Sequence, residues 1–178
     1  FGYRDSIFKN DWKDKAIITR ITLRLTKRKH KLRLDYGAIK DELATKGVTE
    51  PTPKAISDAV VAIRKQKLPD PAEIGNSGSF FKNPVVTEEL ADVLKERYPD
   101  MPTYTVDGGI KIAAGWLIEK AGWKGFKDGD VGVHKNQALV LVNYANATGA
   151  EVLALAHSVI SSVQEKFGIV LQAEVNLI

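Results

Sequence analysis

The sequence of 178 residues contains no cysteine and only three histidines. The missing thiols exclude disulfide bonds and thiolate metal sites, and they are compatible with a cytoplasmic protein. No run of about eighteen apolar residues occurs, which is the length that a membrane-crossing helix needs, so we predict no membrane span. The first residues show no signal-peptide pattern. The histidines lie too far apart for a metal-binding motif, so we predict no metal.

Charge and composition point to a globular protein that handles an anion. Hydrophobic residues make up 44% of the chain, and the formal net charge is +4. Most of the excess positive charge lies in the segment KRKHKLR at 27–33, which we interpret as the solvated end of a hairpin. Nucleic-acid binding remains an alternative, but no recognition motif accompanies the basic segment. A basic surface also suits an anionic substrate such as a nucleotide sugar.

Periodicity predicts a strand and a helix in the first third of the chain. Residues 16–25 (AIITRITLRL) alternate between apolar and polar side chains, which is typical of a half-buried strand. A helix is predicted over 53–65, with Pro53 in its first turn. The segment LPDP at 68–71 ends this helix, because two prolines favour an extended connection. We therefore place a domain boundary there.

The segment GNSGSFFKNP at 75–84 is the strongest local indication of a site. Gly75 and Gly78 can adopt positive φ, so we predict a tight turn that brings Ser79 close to a ligand, with the two following phenylalanines as anchors. The alternative is a purely structural turn between a helix and a strand.

The remaining patterns predict a layered fold of strands separated by helices. They indicate a short strand near Val85, a helix over 87–97, a loop over 98–109, a helix over 113–121, a buried strand over 138–142, and a helix that begins at a capping box of Thr148 and Glu151 and ends at Gly168. The last segment, 169–178, is predicted as a strand with Glu174 on its polar face. Such an order of elements favours an α+β or α/β fold.

Several motifs together resemble one enzyme family. They are FGYRDS at 1–6, AIRKQKLPDP at 62–71, the segment at 75–84, AAGWLIEKAGWKG at 113–125, VHKNQALVLVN at 133–143 and EKFGIVLQAEVNLI at 165–178. In this order they resemble the UDP-N-acetylmuramate dehydrogenases, also called UDP-N-acetylenolpyruvoylglucosamine reductases. Members of that family are nearly twice as long, and nothing here matches their glycine-rich flavin pyrophosphate segment. We therefore expect the carboxy-terminal part of a larger enzyme, inactive by itself.

The resemblance implies an α+β fold in three parts. Residues 1–68 are expected to form the carboxy-terminal part of an FAD-binding domain, and residues 69–168 a small α/β substrate-binding domain. Residues 169–178 are expected to form a strand that returns to the flavin-binding region.

The resemblance also implies a reaction. NADPH reduces bound FAD, and the flavin hydride then reduces the enolpyruvyl ether of a UDP-sugar to a lactyl ether in cytoplasmic peptidoglycan precursor synthesis. Arg4 would stabilise the negative charge that develops next to the substrate carboxylate. Ser79 would donate the proton, and Glu174 would either orient the substrate or donate a hydrogen bond from a protonated carboxyl group. A pKa raised by burial would be needed for the second role of Glu174.

The same transfer assigns the binding residues. Those expected to hold the diphosphate and sugar are Tyr36, Lys67 and Asn83; those expected near the uridine are Tyr104, Lys124 and Gln137; and the residue expected at the flavin is Arg64. Each lysine alone would be read as a solvated surface charge. We expect a monomer whose partner is a UDP-sugar rather than nucleic acid or a membrane. A nucleotide-sugar-binding module without catalysis of its own is the second reading.

Overall fold

The computed structural model describes residues 2–35 and 37–177, and the chain divides into two compact units. Unit 1 is Phe1–Gln66 and unit 2 is Lys67–Ile178. Within the described residues, no helix combines the length and the apolar character that crossing a membrane requires. The same residues contain no group of three His, Cys, Asp or Glu side chains that could hold a metal ion.

Unit 1 contains short helices around a small core. A 3-10 turn spans Ile7–Lys9, α1 spans Ile39–Thr45 and α2 spans Pro53–Lys67. The predicted helix at 53–65 is therefore confirmed, and Ala55 N donates to Thr52 Oγ1 (3.1 Å) in its first turn. Buried in this unit are Ile39, Leu43 and Ala59, against which Ile56, Val60 and Ile63 of α2 pack.

The predicted strand at 16–25 is wrong for the described chain. This segment has no strand structure, and its side chains are exposed, Ile17 to 90% and Leu25 to 79%. The basic segment at 27–33 is exposed as predicted, but it is not the end of a hairpin because no strand flanks it. Alternation creates an apolar face, but a strand forms only where another strand supplies hydrogen bonds.

Unit 2 combines two antiparallel sheets with three helices. Its elements are β1 (Gly75–Ser79), β2 (Val85–Val86), α3 (Glu88–Arg97), β3 (Thr103–Val106), β4 (Gly109–Ile112), α4 (Ala114–Lys120), β5 (Lys127–Asp128), β6 (Val131–Val133), β7 (Val140–Asn143) and α5 (Gly149–Phe167). One sheet has the order β1-β7-β6-β5 and the other β2-β4-β3. Every strand pairing among these is antiparallel. Unit 2 is therefore α+β, whereas the sequence predicted a small α/β domain.

Local sequence signals account for the helix ends. The predicted capping box is confirmed, since Thr148 Oγ1 accepts from Glu151 N (3.3 Å) and Glu151 Oε2 accepts from Thr148 N (2.7 Å). Gly168 follows α5 with φ of 69°, the left-handed conformation that glycine adopts without strain. Thr87 caps the start of α3, because its Oγ1 accepts a hydrogen bond from Leu90 N.

The predicted loop at 98–109 is wrong, because most of it belongs to the hairpin of β3 and β4. Tyr104 pairs with Lys111 in this hairpin, and Val106 pairs with Gly109. Gly109 has φ of 142°, and a Cβ atom there would lie 2.3 Å from the backbone oxygen of Val86 on the adjacent strand. Only glycine permits this close approach.

The core of unit 2 lies between its sheets and helices. The largest fully buried side chains include Phe81, Met101, Leu117 and Ile118, and α5 contributes Val159 and Val163. The described part of the last segment, 169–177, forms an isolated bridge between Phe81 and Ala173 rather than the predicted regular strand. Leu171 is nevertheless buried to 2% exposure, so this segment is held firmly against the core.

Candidate active site

Ser79 lies at the end of a strand rather than in a free turn. It pairs with Val140 of β7, and the register shifts between Asn76 and Ser79. Gly78 has φ of 75° in this irregularity, and its N–H donates to Asn76 Oδ1 (3.0 Å). Gly75, for which positive φ was also predicted, is not among the glycines that adopt it. The bulge leaves the half-buried Ser79 in a position fixed by backbone hydrogen bonds.

The two phenylalanines after Ser79 anchor this strand, as predicted. Phe80 and Phe81 are exposed to only 4% and 1%, with ring centroids 5.0 Å apart. Phe80 N donates to Leu139 O (2.7 Å), which continues the pairing of β1 with β7 past Ser79. Because both rings are buried, the backbone at Ser79 cannot move without disturbing the core.

The backbone of Glu174 pairs with Phe80, the residue that follows Ser79. Glu174 N donates to Phe80 O (2.8 Å), and Lys82 N donates to Gln172 O (2.9 Å). The segment at 80–82 therefore lies between β7 and the carboxy-terminal segment and hydrogen bonds to both. Glu174 is half-buried. Two of the three predicted catalytic residues, 95 positions apart in sequence, are thus brought together in one unit.

Asn83 connects this strand to the first turn of α4. Its Oδ1 accepts from Ala114 N (2.9 Å), a helix N–H that has no partner within the helix. A backbone N–H can donate only to the amide oxygen, so the orientation of the Asn83 side chain is determined. Its NH2 group keeps both hydrogens for other acceptors. The chemistry of this amide suits the oxygens of a diphosphate.

Gln137 approaches the same turn of α4 from the β6–β7 connection. Its Oε1 accepts from Leu139 N (3.4 Å) and lies 3.3 Å from the position that a Cβ atom on Gly115 would occupy. The Gln137 amide oxygen is therefore engaged, and its NH2 group is the end that can donate to a ligand. Asn83 and Gln137 thus lie beside consecutive residues of α4.

The other predicted uridine contacts are at exposed positions of unit 2. Tyr104 is on β3, 56% exposed, and Lys111 of β4 lies over its ring at 5.5 Å from the centroid. Lys124 is exposed, and its Nζ pairs with Glu119 Oε2 at 2.9 Å. A ligand that binds Lys124 therefore competes with an intramolecular carboxylate.

The remaining predicted residues lie in or at the edge of unit 1. Arg4 is exposed in a turn closed by Gly2 N and Asp5 O (2.9 Å), and its φ of 54° is uncommon for a residue with a side chain. Arg64 is exposed on α2, and Lys67 is the exposed last residue of that helix. Tyr36 lies outside the described residues. The roles assigned to these residues stay predictions.

A cleft of about 540 Å³ lies between β1, the first turns of α5 and the carboxy-terminal segment. Its lining includes Ser77, Phe80, Asn143 and Val175. Ser79 and Glu174 are not among the lining residues, although Phe80 and Val175 directly follow them in sequence. The cleft therefore borders the two segments that carry the catalytic candidates rather than the candidates themselves.

Sequence reasoning missed one residue near the site, His134. It is the single polar or charged side chain in the buried class among the described residues, at 7% exposure. Burial lowers the pKa of His134, and the positive charge of Lys135 lowers it further. No local sequence pattern marks this ring as buried, because its burial depends on the packing around it. The spacing of the three histidines had been considered only as a metal motif.

The chain has clear relatives. It matches the family model described as UDP-N-acetylenolpyruvoylglucosamine reductase, C-terminal domain, over residues 70–178. It is 55% identical to the UDP-N-acetylenolpyruvoylglucosamine reductase of Flavobacterium johnsoniae, over 100% of this chain and 53% of the relative. Proteins of the same name from Pseudomonas putida and Chromobacterium violaceum are 52% and 54% identical, over 99% and 98% of this chain and 52% and 51% of the relatives.

The comparisons confirm the resemblance that the motifs predicted. The chain spans about half the length of the curated relatives it matches. Both the motif order and the identity over nearly the whole chain lead to the same assignment: the chain belongs to the UDP-N-acetylenolpyruvoylglucosamine reductase family.

Proposed function

We propose that this chain forms the substrate side of a reductase that converts UDP-N-acetylglucosamine enolpyruvate to UDP-N-acetylmuramate with NADPH and FAD. The structural observation that supports the proposal is the 2.8 Å hydrogen bond from Glu174 N to Phe80 O, which joins the segment that carries Glu174 to the residue that follows Ser79. The names of the relatives support a reductase of this substrate. The enzyme acts as a monomer in cytoplasmic peptidoglycan precursor synthesis.

One residue among those that the structure describes, Arg64, has a side chain that suits FAD. Arg64 is an exposed guanidinium on α2, which suits a phosphate oxygen of the dinucleotide. One guanidinium can orient such a group but cannot enclose it. When bound and reduced, FAD supplies the hydride that enters the methylene carbon of the enolpyruvyl group.

The chain's own residues supply charge stabilisation and the proton. Arg4 pairs with the substrate carboxylate as negative charge develops next to it, which lowers the energy of this state more than that of the ground state. Ser79 then donates its hydroxyl proton to the carbon beside the carboxylate, so hydride and proton together saturate the double bond. Serine is a weak acid, and its fixed position between two backbone pairings makes the transfer intramolecular. Glu174, on the neighbouring segment, either orients the substrate or, when protonated, donates a hydrogen bond to the developing enolate.

Binding of the nucleotide relies on amide donors and cations. Asn83 and Gln137 each engage their oxygen with a backbone N–H and present the NH2 group. Lys67 adds charge for the diphosphate, while Tyr104 and Lys124 contact the uridine. This division of roles suits a ligand that carries only acceptors at its diphosphate.

Rapid-mixing measurements on the full-length protein with Ser79→Ala test the proposal. Reduction of the flavin by NADPH is expected to stay within about twofold of the wild type, while its reoxidation by the enolpyruvyl substrate falls about a hundredfold or more, because only the second step needs the proton. Ser161→Ala, at an exposed position of α5, is the control and should leave both steps unchanged. Equal loss of both steps in Ser79→Ala would assign the serine a structural role.

A flavin absorbance spectrum of the full-length protein separates the enzyme from the nucleotide-sugar-binding module. The enzyme is expected to purify with FAD bound. It is expected to oxidise NADPH continuously only when the enolpyruvyl substrate is present. A protein that binds UDP but carries no flavin and oxidises no NADPH would favour the binding module instead.

A further inference from the structure

His134 is a buried group to which the proposed reaction gives no part. It follows β6 directly and immediately precedes an exposed Lys-Asn turn. A buried polar side chain carries a desolvation cost unless it is hydrogen-bonded, so its partners are informative.

The backbone and ring of His134 close the turn between β6 and β7. His134 N donates to Val140 O (2.9 Å), and Gln137 N donates to His134 O (3.3 Å). His134 Nδ1 accepts from Asn136 N (3.4 Å), so the ring proton resides on Nε2. This is the neutral tautomer, in keeping with the lowered pKa of the buried ring.

The same turn fixes Gln137. Val140 N donates to Gln137 O (3.0 Å), and Leu139 N donates to Gln137 Oε1 (3.4 Å). The Gln137 backbone is therefore held between His134 and Val140, and its side-chain amide is held within the same seven-residue span. A change in the turn at His134 must alter the direction in which the Gln137 NH2 group points.

We propose that His134 is a positioning residue for nucleoside diphosphate binding, because its imidazole fixes the 134–140 turn and thereby the Gln137 amide. The inference rests on the proposed function, in which Gln137 contacts the uridine. His134 touches neither the reacting carbon atoms nor the flavin in this scheme. It therefore sets the affinity for the nucleotide and leaves the chemical step unchanged.

The test uses the full-length protein with His134→Leu and His134→Asn. Leucine removes the acceptor, whereas the asparagine side-chain oxygen replaces Nδ1 in position. We expect His134→Leu to raise the dissociation constant for UDP, measured by titration calorimetry, and the KM for the enolpyruvyl substrate about tenfold, with kcat within twofold of the wild type. His134→Asn should restore both constants to within about threefold. His157→Leu on the exposed face of α5 is the control and should change nothing.

A double-mutant cycle with Gln137→Ala separates positioning from general damage. If His134 acts through Gln137, His134→Leu has little further effect on UDP affinity in the Gln137→Ala background. The inference would be overturned if the losses of UDP affinity in the double variant are additive, if His134→Leu and His134→Asn lose equal affinity, or if His134→Leu binds UDP as the wild type does. In each of these cases the proposed function still stands, provided that the wild type turns over the substrate. A wild type that neither binds UDP nor turns over the substrate would overturn both.

Discussion

At the scale of single residues, the site depends on two amides whose oxygens are already engaged. Asn83 caps α4 from a position 31 residues away, and Gln137 is held by Leu139 N. Because an amide can bond through both ends, one end secures the side chain and the other remains for the ligand. The same residue thus contributes to both stability and binding, and the two contributions can be separated by substitution.

The substitution Asn83→Asp separates the contribution of this residue to stability from its contribution to binding. The carboxylate keeps the acceptor for Ala114 N and places negative charge at a helix N-terminus, so the melting temperature should be unchanged or higher. It loses both donors and repels a diphosphate, so the UDP dissociation constant should rise tenfold or more, by roughly 1.4 kcal/mol or above. Calorimetric binding and a thermal melt measure the two effects. If Asn83→Asp binds UDP with wild-type affinity, Asn83 is not part of the binding site.

Gly115→Ala tests the close approach of Gln137 to α4. A Cβ atom there lies 3.3 Å from Gln137 Oε1 and 3.5 Å from Leu139 Cγ, so the amide must shift by a few tenths of an ångström. Alanine favours the helix by up to about 1 kcal/mol over glycine, which offsets the strain. We therefore expect little loss of stability and a severalfold weaker binding of UDP.

Gly149→Ala provides the matched control for Gly115→Ala. Gly149 is also near the start of a helix, and a Cβ atom there meets nothing within 4 Å. Its UDP affinity should equal that of the wild type. Equal affinities for the two alanine variants would show that the Gln137 amide does not contact the nucleotide.

At the scale of elements, α5 is the longest helix among the described residues, and we expect a carboxyl group in its first turn to make its stability depend on pH. The backbone N–H of Thr148, and then its side chain, hold the pKa of Glu151 below its ordinary value. A depressed carboxyl pKa contributes stability that is present above the unfolded value of about 4.3 and is lost as the pH falls through the folded value.

Thr148→Ala removes the cap of α5 and should lower the free energy of unfolding by about 1 kcal/mol at neutral pH. Glu151→Gln should remove the acid-dependent part, so its stability falls less steeply than that of the wild type below about pH 4.3. Denaturant unfolding at pH 7 and pH 3.5 measures both. A Glu151→Gln protein whose stability falls with pH as steeply as the wild type's would exclude this carboxyl as a source of acid sensitivity.

Elements with local start and stop signals could be predicted from the sequence. The helices at 53, 87 and 148 carry a cap or a proline whose effect acts within one turn, and the helix at 113 is followed by Gly122 with a positive φ of 93°. The strands β5 and β6 were missed, because two or three residues are too few to show a period, and they form through pairing, β6 with β7 and β5 with β6. The hairpin of β3 and β4 was mistaken for a loop because its polar turn residues outweighed the alternation of TYTV.

Some features of the candidate site could also be predicted from the sequence, and others could not. Ser79 and Glu174 were named from motif resemblance, and the structure brings them to adjacent segments. The capping of Ala114 by Asn83 was not predictable, since it joins a loop to a helix that begins 31 positions later. His134 was overlooked because burial of a single polar ring depends on the packing around it rather than on spacing.

At the scale of the whole molecule, the two units differ in the size of their cores. Among the described residues, those buried in unit 1 are Ile39, Leu43 and Ala59, whereas unit 2 buries side chains from both sheets and all three of its helices. Apolar burial contributes about 25 cal/mol per Å² to folding, so unit 2 has much the greater source of stability.

Hydrogen exchange should reproduce this difference. Amides of α5 and β7 in unit 2 are expected to exchange only on global opening, because they are buried and hydrogen-bonded. Amides at 16–35 lack helix and strand pairing and should exchange within seconds at neutral pH. Mass spectrometry of quenched samples measures both regions. Protection at 16–25 equal to that of β7 would contradict the exposed state of this segment.

The exposed apolar face of residues 16–25 also affects how the 178-residue chain behaves in solution. Ile17, Ile21 and Leu23 are exposed to 90%, 74% and 73%, and their even spacing places them on one face of an extended segment. An unpaired extended segment with such a face favours association with another copy or with an apolar dye. Replacing Ile21 and Leu23 together by threonine should lower dye fluorescence and concentration-dependent light scattering severalfold, because threonine favours extended backbone while reducing the apolar area of the segment. Val93→Thr on α3, an exposed but isolated apolar position, should change neither signal. Identical scattering from the double variant and the Val93→Thr control would assign the association to another part of the chain.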